Sequence, residues 1–239
     1  MTWSILGRDE HGCLGAAVAS RFFAVGGLCL HTRRGVGALS TQALLNPLYG
    51  PAGLDRLSTG ESAAEVVRAL TAADAGRAHR QLHVLPAADA PSAHTGEACV
   101  DWCGHLLFDD FSVAGNMLAG PQVIEATAAA YRERRGQPLA ERLLAAMAAG
   151  EAAGGDKRGK QGAALRIQAD EDYLALDLRV DDHAEPIAEL HRLYELSLER
   201  FQPFMACVAG RHDGTGLTDR AEIERRSEAF HAQRAARRA

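Results

Sequence analysis

The chain has 239 residues, 47% of them hydrophobic and 24% charged, with a formal net charge of −5, the profile of a soluble globular protein that can bury a core without staples. Mild acidity argues against a nucleic-acid partner, which leaves a basic footprint, and no segment offers the ~18 uninterrupted apolar residues of a membrane helix. The first residues lack the basic start and apolar run of a secretion signal, and five cysteines, an odd number, suit a reducing setting, so the expected location is cytoplasmic.

In chain order, "TWSILGRD" predicts a strand, "EHG" a turn and "CLGAAVASRFF" a second strand, which makes residues 2–23 a hairpin. "GGLCLHTRRGVGALSTQALL" predicts one or two more strands, whose Gly and Ala content suits a closely packed covering layer. Asn46-Pro47 marks a break before a short helix in "LYGPAGLDRLSTG". "ESAAEVVRALTAAD" predicts a helix: Ser62 and Glu65 form a capping box, and Val66, Val67 and Leu70 supply its apolar face. "RQLHVLPA", "SAHTGEACV" and "GHLLFDDFSVAGNML" read as strands. Two helices follow, in "GPQVIEATAAAYRERR" and "PLAERLLAAMAAGEAA", separated by Gly136 and Pro138. "ALRIQA" and "YLALDLRVDD" form a final strand pair, and "EPIAELHRLYELSLERF" is a long amphipathic helix. The chain thus divides into a domain of residues 1–210 and a polar, arginine-rich, partly helical tail of residues 211–239. Strands come in neighbouring runs, so the fold class is α+β, with antiparallel sheets and helices in separate layers.

The candidate chemistry begins at Thr2. Loss of Met1 would leave a free α-amine beside the Thr2 hydroxyl, and an α-amine titrates at about 7.7–8.0, near enough to neutrality to serve as a base for that hydroxyl. The competing reading is an incidental small second residue. "GGDKRGKQ" carries most of a phosphate-loop pattern, but Gln161 stands where Ser or Thr must hold the metal, and the stretch follows a helix rather than a strand. It reads instead as a glycine-rich loop, either solvated or presenting Asp156, Lys157 and Arg158 to a carboxylate. Asn116, between a strand and a helix, is either a turn residue or a donor to a developing oxyanion. His94, Cys99, Cys103 and His105 lack zinc spacing, and no metal is expected. Gln42 and Asn46 are loop packing or polar pocket walls. Asp182, in "RVDDH", is a capping residue or a ligand contact.

The stretches "TWSILGRD", "AVASRFFAVG", "GVGALSTQALLNPLYG", "AHTGEAC", "GHLLFDDFSVAGNML", "GGDKRGKQGAAL" and "DLRVDDH" together resemble a bacterial and archaeal family of unknown function, domain family 1028, grouped with the N-terminal-nucleophile (Ntn) hydrolases. The resemblance runs from Thr2 to about His183. It implies a four-layer αββα sandwich of two antiparallel sheets between helical layers, with Thr2 at the nucleophile position. Ser20 and Arg21 match an Asp-Ser-Arg pattern of proteasome-like members, but Ala19 replaces the acid and no early strand carries a lysine, so the Thr2 amine must be the base. Asn116 resembles the oxyanion asparagine of acylase-type members. The implied activity is an N-terminal-threonine amidohydrolase cleaving C–N bonds of a small amide, ureide or peptide-like substrate. In it Thr2, Asn116 and Arg21 are catalytic, and Lys157, Arg158, Asp156, Gln42, Asn46, His94 and Asp182 contact substrate. No cofactor, nucleic-acid or membrane partner is expected, and self-association is. The alternative is a non-catalytic small-molecule or peptide-binding protein on the same fold.

Overall fold

Period-two alternation decides the first strand: Trp3 and Ile5 face one way and Thr2, Ser4 and Leu6 the other. The computed structural model describes residues 2–238, so Met1, whose removal the Thr2 chemistry requires, lies outside the described residues. β1 (Thr2–Arg8) turns at Gly12 and pairs with β2 (Leu14–Ser20), forming the expected hairpin. The second strand stops three residues earlier than its apolar run suggests. Phe22 and Phe23 lie on the surface and Ala24 takes a left-handed φ of 52°, which ends the extension.

α1 (Val25–Cys29) follows where a strand was expected. It packs directly on the sheet, and a Cβ at Gly26 would stand 2.2 Å from the Ala164 Cβ, so glycine permits the close approach. β3 (Leu30–Arg33), β4 (Gly37–Ala43), α2 (Tyr49–Ser58) and α3 (Ala63–Ala72) come next. The Ser62–Glu65 capping box forms in full, and Gly37 lies tight under Leu57 of α2, as its small size implied. β5 (Arg80–Pro86), β6 (Ser92–Thr95), β7 (Gly104–Leu107) and β8 (Phe111–Asn116) precede α4 (Gln122–Glu133) and α5 (Leu139–Ala152). Only the first four residues of "SAHTGEACV" are strand; the remainder is loop. β9 (Gly162–Gln168), β10 (Leu176–Val180), α6 (Pro186–Ser197), α7 (Phe201–Met205) and α8 (Arg220–Arg238) complete the chain.

The strands form two antiparallel sheets, ordered β10-β9-β2-β1-β8-β7 and β3-β4-β5-β6. Trp3, Ile5, Phe111 and Val113 of the larger sheet pack against Tyr131, Leu143, Met147 and Leu190 of α4, α5 and α6. Leu39, Leu82 and Val84 of the smaller sheet pack against Leu54, Val66 and Leu70 of α2 and α3. A third cluster, including Leu6, Val18, Leu30, Ala38 and Leu85, fills one part of the space between the sheets. The layers therefore run helix, sheet, sheet, helix, as expected for burying two one-sided sheets. α8 lies back on the body through Phe230, the His231–Glu199 hydrogen bond and the Arg234–Glu195 ion pair. Among the described residues no helix is long and apolar enough to cross a membrane.

Candidate functional site

The inner faces of the two sheets change character along their length. Beyond the apolar cluster they carry Thr2, Ser4, Ser40, Gln42, Gln81, His83, Ser112 and Asn116, all buried. Thr2 stands at the end of this polar region, 6% exposed. It begins β1 opposite Asn116, the last residue of β8, and close to Ser20, the last residue of β2. Its Oγ1 donates to Ser20 Oγ at 3.1 Å. Its carbonyl accepts from Asn116 Nδ2 and Gln42 Nε2, each at 3.4 Å. Two side-chain amides from opposite sheets thus hold the Thr2 backbone.

Gln81 is the centre of the network, and its partners fix the direction of every bond. Its Nε2 faces the Gly115 carbonyl at 2.8 Å, the Gly104 carbonyl at 3.1 Å and Thr95 Oγ1 at 2.9 Å. Its Oε1 must then accept, from Gln42 Nε2 at 2.7 Å and Asn116 Nδ2 at 3.0 Å. Gln42 Oε1 accepts the Ser4 hydroxyl at 2.7 Å. Ser4 has spent its proton and accepts from His83 Nε2 at 2.8 Å. His83 Nδ1, bare in the neutral ring, accepts from Ser112 Oγ at 2.8 Å. These donor and acceptor inventories leave His83 as the Nε2–H tautomer. Burial pushes its pKa down to about 3, helped by the neighbouring His105.

The glycine-rich loop after α5 borders the same strand ends. Asp156 pairs with Leu118, two residues past Asn116, in an isolated bridge. Its side chain is 2% exposed and accepts from the Arg21 backbone N–H at 2.8 Å and the Arg158 backbone N–H at 2.9 Å, with the Arg158 guanidinium at 3.2 Å. Asp156 thus pins the loop to the end of β2, beside Ser20. Gly154, Gly155 and Gly159 all take positive φ there, which glycine alone adopts without strain. Arg21 turns its exposed guanidinium toward the Arg158 carbonyl, and Lys157 Nζ donates to the Asp101 carbonyl at 2.6 Å. A small cavity of about 160 Å3 lies under the loop, bounded by Ser20, Trp3, Asp156, Lys160 and Pro186.

Three of the sequence candidates lie apart from this cluster. Asn46 Nδ2 reaches Asp74, which also holds the Tyr49 hydroxyl at 2.8 Å and Arg80 Nε at 3.0 Å, so Asn46 organises the turn before α2. His94 pairs with Leu82, whose side chain faces the outer helices, and its ring meets the Arg77 carbonyl at 2.9 Å. Asp182 is exposed and accepts from Gln161 Nε2 at 3.1 Å. Thr2, Asn116, Gln42, Arg21, Asp156, Lys157 and Arg158 come to one end of the sandwich. Sequence reasoning gave no role to Ser20's contact with Thr2, nor to Gln81, Ser4 and His83. The signal was present in "RQLHVLP", where Gln81 and His83 alternate with Leu82 and Val84 and must line one face. All five cysteines are free, and burial raises the Cys29 thiol to about 12, far from a thiolate nucleophile. Among the described residues no group of three or more His, Cys, Asp or Glu is gathered to hold a metal.

Residues 2–190 match the family of unknown function DUF1028. A crystal structure of a Silicibacter pomeroyi protein of that family is 30% identical, superposes with a TM-score of 0.84, and is covered over 91% of this chain and 99% of its own. The ancestral beta-subunit (Anbu) from Yersinia bercovieri aligns at 11% identity and a TM-score of 0.40, over 82% of this chain and 94% of its own. No curated protein matches. With four-fifths of its length matched and a solved relative of the same architecture, the chain belongs to the DUF1028 family of unknown function.

Proposed function

We propose that the protein is an N-terminal-threonine amidohydrolase acting on a small amide, ureide or peptide-like substrate. One observation carries the reading: the Thr2 hydroxyl is held by Ser20 at the end of a buried polar seam whose amides converge on the same residue. With Met1 removed, the Thr2 amine takes the hydroxyl proton as Oγ1 attacks the substrate carbonyl. An ester to Thr2 forms and the amine leaving group departs with that proton. Water, activated by the same amine, then releases the acid. Asn116 Nδ2 spends one hydrogen on Gln81 at 3.0 Å, whereas its contact to the Thr2 carbonyl is long, 3.4 Å, so the second hydrogen is available to an oxyanion. The exposed side chains of Lys157 and Arg21 sit on the loop edge beside this point, bonded among the described residues to backbone carbonyls, and can meet a substrate carboxylate.

The test is incubation of the full chain with a panel of activated amides and ureides, followed by mass spectrometry. The expected result is an N-terminus at Thr2 and an acyl adduct on the first peptide. Thr2→Ala should remove the adduct and lower turnover by about a thousandfold or more. Activity in protein that retains Met1 would overturn the mechanism. One observation favours a second reading, binding without chemistry: Thr2 is nearly covered, 6% exposed. On that reading Thr2→Ala binds ligand as well as the parent and no panel member forms an adduct.

A further inference from the structure

The opposite end of β1 carries a feature the Thr2 chemistry does not use. Arg142, on α5, is 4% exposed. One face of its guanidinium stacks on Tyr131, with the central carbon 3.9 Å from the ring centroid. Its Nε and Nη2 are buried with no hydrogen-bond partner among the described residues. These two nitrogens form one edge of the guanidinium, the edge that takes a carboxylate through two parallel hydrogen bonds. Asp110 is the nearest acid. Its Oδ2 stands 3.9 Å from Arg142 Nη2, beyond hydrogen-bond range, and meets Arg135 Nη2 at 3.0 Å. A buried cation with an empty fork is an unfavourable arrangement that a native fold keeps only for a reason.

Arg142 borders a cleft of about 1120 Å3 between the β1–β2 turn, the α4–α5 loop and α8. Phe230, Gln233 and Arg234 of α8 form part of its wall. β1 is seven residues long, Thr2 included, which puts this end about 20 Å from Thr2 at the usual rise. The other cations of the wall are occupied. Arg8 donates to the carbonyls of Pro86, Asp89 and Asp109, Arg135 pairs with Asp110, and Arg234 pairs with Glu195. Acids are present as well, at Asp9, Glu10, Asp110 and Glu141. One guanidinium with an unfilled fork among these acids suits a single negative charge, and a dianion would face their repulsion.

We propose that this cleft binds a small carboxylate-bearing organic molecule, its carboxylate held side-on by Nε and Nη2 of Arg142. Occupation requires Asp110 to turn fully toward Arg135, with which it is already paired. The body of the ligand lies along Tyr194 and Phe230. The site is independent of Thr2.

Thermal melting and isothermal titration of the full chain test this, with benzoate, N-benzoylglycine, succinate, the methyl ester of N-benzoylglycine and inorganic phosphate as probes. A saturable stabilisation by at least one carboxylate, absent with the ester and weaker with phosphate, is expected. Arg142→Lys keeps the charge but not the fork and should weaken binding by about tenfold or more. Asp110→Asn removes the competing acid and should tighten it, and Thr2→Ala should leave it unchanged. Three results would each sink the proposal: no saturable binding by any carboxylate, undiminished binding in Arg142→Lys, or weaker binding in Asp110→Asn. An equal response to phosphate would overturn the assignment to carboxylates. The Lys and Asn variants are checked for a native melting transition, so a folding defect is not read as lost binding.

Discussion

Gln81 is the residue on which the two sheets are joined. It carries five hydrogen bonds, to Gly115, Gly104, Thr95, Gln42 and Asn116, and is fully buried. Gln81→Leu keeps the volume roughly constant but strands two backbone carbonyls and two side-chain amides. Each buried unsatisfied group costs about 1–3 kcal/mol, so the expected loss is about 3 kcal/mol or more, read from the urea midpoint. The same variant frees Gln42 and Asn116 and should loosen Thr2, whose carbonyl they hold. Thr2 and Asn116 were legible as candidates from the sequence because strand ends and turn asparagines carry local signals. The partners of Ser20 and Gln81 were not: a family pattern marks Ser20 and alternation puts Gln81 on an inner face, but which groups each meets follows from pairing across strands and sheets. Asn46 and His94 illustrate the converse. Each has the right chemistry, but Asn46 is taken up by the Asp74 turn and strand parity turns His94 to the outer face.

At the scale of elements, small residues set how closely helices lie on the sheets. A Cβ at Gly15 would stand 2.4 Å from Leu143 Cδ1 and 3.1 Å from Leu139 Cδ2. Gly15→Ala should therefore destabilise by about 1–3 kcal/mol through overpacking between β2 and α5, and trimming Leu143 to Val in the same chain should recover part of it. Denaturation curves of the parent, the two single variants and the double variant check this, and full additivity of the two changes would contradict the contact. The helix α3 answers to a different term. Ser62→Ala removes one half of the capping box and should cost about 1 kcal/mol. That helix was readable in full from Ser62, Glu65 and the apolar positions, because its signals lie within one turn. The short helix α1 was not. "VGGLC" has strand-like residues and two glycines, and its conformation follows from Gly26 packing against Ala164, some 138 residues away.

At the scale of the whole molecule, the polar seam between the sheets couples stability to pH. His83 sits fully buried between Ser4 and Ser112, with His105 behind it, and its folded pKa falls to about 3 from 6.5. Burial likewise lowers His105 and His31. The unfolded chain thus takes up these protons first. For His83 the stability that depends on a neutral imidazole is complete well above pH 6.5 and declines as the pH falls toward 3, with a limiting slope of about 1.4 kcal/mol per pH unit; His105 and His31 add to the loss in the same direction. The carboxylates with lowered pKa, Glu65, Asp74, Glu189 and Glu222, start from ordinary values of 4.5 or 3.8 and act further down. The window between about pH 6.5 and 5 therefore isolates the histidines. His83→Gln keeps an amide between Ser4 and Ser112 but has no proton to gain. Its stability at pH 7.5 should be lower than that of the parent, and its decline from pH 6.5 to 5 shallower, as measured by urea titrations at each pH. A slope unchanged by the substitution would mean that His83 is not buried as a neutral ring. In that case the directed chain from Ser112 through His83 and Ser4 to Gln42, which helps to hold the Thr2 backbone in place, would have to be redrawn.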